Sequence, residues 1–149
     1  MKSCPKVVEQ ILEAIKNARS ICIVGHVRPD GDCIGSQIGL ALALIEEGKD
    51  VTVWNEDPVP DKLRFLDPER LVRKPHNGLR FDAVIATDCA SLDRLGRVAE
   101  HIADRGVFIN IDHQQQWLCR QKLVATQQFA FFFIQHNITH WCALLKLAL

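Results

Sequence analysis

A chain of 149 residues holds one domain with a real core, or a domain and a fragment. Its 18 basic and 18 acidic residues cancel, so no global charge draws it to nucleic acid or membrane, and a nucleotide would have to be held locally. Six cysteines without a CxxC spacing argue for reduced thiols in a cytoplasm, not a disulfide scaffold or zinc site; Cys22 and Cys33 read as small packing residues.

Lys2 and Lys6 precede no apolar signal core; Val8, Ile11, Leu12 and Ile15 instead mark one face of an amphipathic helix. Residues 21–24 form a short apolar strand, and Gly25 opens the turn His26-Val27-Arg28-Pro29-Asp30-Gly31-Asp32. One imidazole and two carboxylates crowd that turn. As anions held close they repel each other and lose hydration, so they require a compensating positive charge. A divalent metal supplies it, and this donor set suits Mn, Fe or Zn.

A helix is predicted over residues 33–47, with Asp32 near its start and Gly48 as its stop. Residues 51–54 read as a second strand, 55–60 as a proline-punctuated loop, and 61–66 as a short helix. A third strand over 83–86 ends at Thr87-Asp88. Residues 92–103 are helical in pattern despite Gly96, and a fourth strand over 107–111 ends at Asp112-His113. Continuous apolar strands alternating with helices predict an α/β fold, a parallel sheet with helices on both faces. Ligands of such sheets bind beyond the carboxyl ends of the strands, where all three acidic clusters fall. Taken singly, Asp88 also suits a helix N-cap and Asp112 a turn. Arg73, Lys74 and His76 form a basic patch able to meet phosphate, with a solvated loop as the plainer reading.

These residues resemble the DHH phosphoesterase family. His26-x-x-Pro29-Asp30-Gly31-Asp32-x-x-Gly35-Ser36 is similar to its first motif, Asp88-Cys89-Ala90 to its second, and Asp112-His113 to the start of the Asp-His-His signature. The stretch from Val59 through Leu66 resembles the branch of nanoRNases that also dephosphorylate 3′-phosphoadenosine 5′-phosphate. The resemblance implies a two-manganese site in which His26 and Asp30 hold one ion, Asp32 and His113 the other, and Asp88 bridges them. It implies catalytic roles for Asp88, Asp112 and His113, with Asp112 orienting its neighbours. The implied activity is hydrolysis of phosphate esters in short RNA or a 3′-phosphorylated nucleotide, in the cytoplasm and away from membranes.

The similarity stops after residue 113. Gln114 stands where the family has its second His, and it cannot carry a proton charge. All 18 acidic residues lie at or before Asp112, so the family's fourth-motif aspartate has no counterpart. On this reading the family's substrate-gripping C-terminal domain is also expected to have no counterpart. Residues 1–113 therefore read as the N-terminal part of a DHH domain, and residues 114–149 as an aberrant, non-family tail. Interruptions by Gln, Asn and His argue against a membrane span there, and His136 with His140 lack an acidic third ligand. The composition break suggests a reading-frame shift. Dropping the first base of the Gln114 codon permits Asn-Asn-Ser-Gly-Tyr-Ala-Asp-Lys-Asn-Trp, similar to the segment after this motif in the family. On this reading the product is an impaired, truncated phosphoesterase. The alternatives are a non-catalytic nucleotide- or metal-binding remnant, a RecJ-like exonuclease or pyrophosphatase relative, and a gene product without a stable fold.

Overall fold

The computed structural model describes residues 5–112, with side chains from Glu9 onward. The expectations for His113, Gln114, the tail over 114–149 and the His136–His140 pair lie outside the described residues.

Helix α1 (Pro5–Asn17) buries Ile11 and Ile15 and packs Leu12 against the core, as its apolar spacing requires. Its last carbonyls need partners, and the Lys49 ammonium donates to the Lys16 and Ala18 oxygens at 2.8 Å each. Strand β1 (Ser20–Val24) leads through residues 25–30 into α2 (Gly31–Glu46). Strand β2 (Asp50–Trp54) follows, then a 3-10 turn over Asp61–Leu66 and the two-residue β3 (Val72–Arg73). Strand β4 (Phe81–Thr87), a 3-10 turn over Leu92–Leu95, the single helical turn α3 (Val98–His101) and β5 (Arg105–Ile111) complete the order.

The five strands are parallel in the order β3-β2-β1-β4-β5. Strands β1, β4 and β5 are mostly apolar because both of their faces are covered. On one face α1 and α2 pack Ile11, Ile15, Leu40 and Leu44 onto Ile21, Ile23, Val53, Ile85 and Ile109. On the other, Leu95, Val98 and Ile102 cover Cys22, Val24, Trp54, Val84 and Phe108. No helix of the described residues is long and apolar enough to cross a membrane.

Three expectations change. The helix predicted over 92–103 is a 3-10 turn and one α-turn, divided at Gly96. That glycine takes φ 58° and ψ −141°, outside any helix, so the apolar spacing of Leu95, Val98 and Ile102 survives without a continuous helix. Helix α2 begins two residues earlier than expected and is capped by Asp30, with Asp32 in its first turn. Strand β3 has no counterpart among the predicted strands, because two residues carry no periodicity.

The sheet's amino end has its own clasp. Asp82 Oδ2 accepts from the amides of Arg19 and Ser20 at 2.9 Å each, and the Ser20 hydroxyl accepts from Asp82 N at 3.1 Å. The Ser20 and then the Arg19 amide hold this carboxyl below the ordinary carboxylate range. A value depressed by folding stabilises fully above the unfolded-state pKa, about 4, and the contribution is lost as pH falls through the lower folded value. Asp82→Ala should therefore lower the melting temperature at neutral pH. Melts repeated in acid should show the gap to wild type closing below about pH 4.

Candidate metal centre

In the order β3-β2-β1-β4-β5, chain connections leave β1 toward β2 on one side while β4 lies on the other. The crevice between the carboxyl ends of β1 and β4 is thus the topological switch point, where open α/β sheets bind ligands. Val24 pairs with Ala86 at the end of the shared ladder. Two residues past Val24 comes His26, and two residues past Ala86 comes Asp88.

There the structure brings His26, Asp30 and Asp88 together, with one ligating atom of each within 4.8 Å of the others. His26 Nε2 lies 3.9 Å from Asp30 Oδ1 and 3.8 Å from Asp88 Oδ2. Those separations are too long for direct hydrogen bonds. His26 is buried, and its Nδ1 sits 2.8 Å from the Val27 carbonyl. A carbonyl only accepts, so Nδ1 carries a proton and Nε2 is the ring nitrogen that faces the two carboxylates. An imidazole nitrogen and two carboxylates that converge without direct hydrogen bonds make a place where a cation can sit. An imidazole and carboxylate oxygens, with the second ring nitrogen tied to a carbonyl, form a donor set that fits a divalent ion.

Local geometry fixes each donor. Asp30 is the N-cap of α2, its Oδ1 accepting from Cys33 N at 3.0 Å, while its side chain stays 67% exposed. Asp88 adopts φ 50°, a left-handed conformation that Asp tolerates better than most residues. Its amide donates to the Ile111 carbonyl at 3.0 Å, and Asn110 Nδ2 donates to the Cys89 carbonyl at 3.1 Å, so β5 secures the segment carrying Asp88. The N-cap alternative for Asp88 is thereby removed, since the following 3-10 turn is preceded by Ser91.

Of the other expected site residues, Asp32 is exposed in the first turn of α2 and does not join the group. An acidic residue there also complements the helix dipole. Asp112 is buried directly after β5.

Behind the loop lies a polar support that sequence reasoning missed. Asn55 Oδ1 accepts from Gly25 N at 3.0 Å and from Gln37 Nε2 at 2.8 Å, and Asn55 Nδ2 donates to Gln37 Oε1 at 2.9 Å. Both amides are essentially inaccessible. Gly25 is required beside them: a Cβ there would meet Cys33 Sγ at 2.5 Å and the Gln37 amide at 2.9 Å. A signal was present, because Asn55 ends an apolar strand as Asp88 and Asp112 do, and Gln37 interrupts the buried stripe of α2. Burial pushes the Cys33 thiol up to about 12 and the Cys89 thiol up to about 11, and raises Cys22 as well. All three are buried thiols outside any disulfide, and they pack rather than ligate.

The rim loops also hold one another. Val27 N donates to the Arg94 carbonyl at 2.7 Å, Arg28 N to Asp57 Oδ2 at 2.7 Å, and Arg97 N to Glu56 Oε2 at 2.6 Å. Gly96 is where these loops meet. A Cβ there would collide with the Glu56 carboxylate and lie 2.8 Å from Val27 Cγ1, on a backbone conformation reserved for glycine. Gly96→Ala should cost about 2 kcal/mol in denaturant unfolding. Wild-type stability in that variant would show that Glu56 and the loop yield freely.

The profile of the DHH family, N-terminal domain, matches residues 20–135. The chain is 39% identical over 109 residues to the bifunctional oligoribonuclease and PAP phosphatase NrnA of Thermus thermophilus, across 72% of this chain and 31% of that protein. It therefore spans about a third of that relative's length. An exopolyphosphatase-related protein from Bacteroides fragilis has the same fold, with a TM-score of 0.73 at 22% identity, over 96% of this chain and 43% of that one.

Proposed function

Because this chain belongs to the DHH family, we propose that its rim site is a metal-dependent phosphoesterase centre, taking the phosphate esters of short RNA or of 3′-phosphorylated nucleotides. The observation that carries the reading is the convergence of His26, Asp30 and Asp88 at the switch point of the sheet. Similarity to a bifunctional oligoribonuclease and PAP phosphatase favours these substrates over others of the family.

His26, Asp30 and Asp88 would hold one divalent ion, manganese by the family resemblance, and Asp32 and His113 are the proposed donors to a second, with Asp88 shared. A bound ion supplies Lewis acidity toward a phosphoryl oxygen and lowers the pKa of water. The chain's own residues supply placement. The Val27 carbonyl keeps the His26 proton on Nδ1, so Nε2 stays a donor of electrons. The cap bond of Asp30 and the left-handed turn at Asp88 fix where the negative charges stand. Asp112, buried directly after β5, is proposed to orient its neighbours. Gln114 in place of a second histidine lowers the turnover expected of this chain without removing the ion site.

Calorimetric titration of the full chain with Mn2+, followed by assays on a short oligoribonucleotide and on 3′-phosphoadenosine 5′-phosphate, tests the reading. Ion uptake lost in His26→Ala, with slow hydrolysis lost in the same variant, is expected. Ion uptake or hydrolysis indifferent to His26 would sink it.

A further inference from the structure

Two clefts adjoin at the rim. One, of about 520 Å3, is lined by Arg28, Asp30, Asp57, Pro58 and Lys62 among others, and so reaches the metal centre through Asp30. The second, of about 480 Å3, shares Asp57 and Pro58 and continues past Arg64, Arg70, Arg73 and Lys74. We propose that this continuous track binds the phosphates of a short single-stranded RNA beyond the one at the metal centre, with a base stacked on Phe65. The proposal rests on the phosphoesterase reading for the position of the strand's end.

Charge is the first argument. The protein is neutral as a whole, yet the second cleft gathers four cationic side chains against two carboxylates. Both carboxylates are engaged by main-chain amides: Asp57 takes Arg28 N at 2.7 Å, and buried Asp67 takes Leu71 N at 2.7 Å and Val72 N at 3.1 Å. Arg64 pairs with Asp61 at 2.8 Å. Among the described residues, Arg28, Lys62, Arg70, Arg73 and Lys74 make no ion pair. The positive side chains thus face solvent unneutralised while the negative ones shape the loop. Of the basic patch evident in the sequence, Arg73 and Lys74 line the cleft, and His76 instead packs edge-on to Trp54 with ring centroids 5.4 Å apart.

Phe65 is the second argument, and it selects the ligand. It is 74% exposed on the Asp61–Leu66 turn, whose Leu63 lines the first cleft and whose Arg64 lines the second. An aromatic ring left in water beside a cationic groove is the arrangement by which single strands are held: phosphates on cations, bases on ring faces. A linear polyphosphate would use the cations and leave Phe65 idle.

The test measures anisotropy of a fluorescent RNA pentanucleotide with the full chain in EDTA, where the metal centre plays no part. Arg73→Glu with Lys74→Glu should weaken binding at least about tenfold and flatten the slope of log K against log salt by about 1.4, the value for two lost phosphate contacts. Phe65→Ala should weaken RNA binding about tenfold and leave linear polyphosphate binding unchanged. Circular dichroism and Mn2+ titration should match wild type in each variant; if the charge reversals unfold the chain, Arg73→Ala with Lys74→Ala replaces them. Wild-type RNA affinity and salt slope in the charge variants would overturn the proposal, as would failure of the parent chain to bind RNA. Polyphosphate binding that ignores Phe65, alongside RNA binding that also ignores it, would overturn the assignment to nucleic acid. RNA binding in a chain that takes up no Mn2+ would support the track and overturn the catalytic reading.

Discussion

Asp88→Asn should lower the affinity of the full chain for Mn2+ by at least about a hundredfold while leaving its unfolding free energy nearly unchanged. Loss of an outer partner to a metal ligand costs about ten- to a hundredfold in affinity, so a charged donor within the group should reach at least the upper figure. Asparagine is the informative replacement. It tolerates φ 50° as aspartate does, whereas alanine adds about 1–2 kcal/mol of left-handed strain. The Asp88 backbone bond to Ile111 survives the change, so the sheet and loop stay in place. Paired calorimetric titrations and denaturant melts check both halves. Retained Mn2+ affinity in a folded Asp88→Asn chain would remove Asp88 from the site.

Asn55→Leu should be the most destabilising single change at the rim, at about 4 kcal/mol. Asn55 is 1% exposed and makes three of the hydrogen bonds that support the β1–α2 loop. Leucine fills the space but abandons the Gly25 amide and both ends of the Gln37 side chain in a region closed to water. Each orphaned polar group costs roughly 1–3 kcal/mol. Against a total stability of about 5–15 kcal/mol for an ordinary domain, such a loss is severe. Urea unfolding followed by circular dichroism measures it. A loss below about 1 kcal/mol would mean the loop is held mainly by its other contacts.

The parallel sheet was legible because its central strands are buried on both faces and therefore read as uninterrupted apolar runs, as Ile21 to Val24 shows. The carboxyl ends of those strands led to His26, Asp30 and Asp88. The grouping of these three depends on strand order, which no local pattern contains: β4 joins β1 across some sixty residues of chain. Gly96 misled because apolar spacing at Leu95, Val98 and Ile102 serves two short turns as well as one helix. Asn55 and Gln37 escaped notice because amides carry no charge, and their pairing is a tertiary fact. Arg73 and Lys74 read in the sequence as a loop patch, and their place along a cleft depends on Asp67, which curls the segment with Arg70 at φ 53°.

The match of Val24 with Ala86 ties chemistry to folding more tightly than a set of ligands on independent loops would. Since His26 and Asp88 stand at equal offsets from that last pairing, slipping either strand by one residue would point its side chains to the opposite face and part the donors. No half-zipped ladder can offer a partial binding site. An ion arriving during folding would find nothing to grip until the two central strands had closed in correct alignment, and from then on it would act as a bolt against their shearing apart.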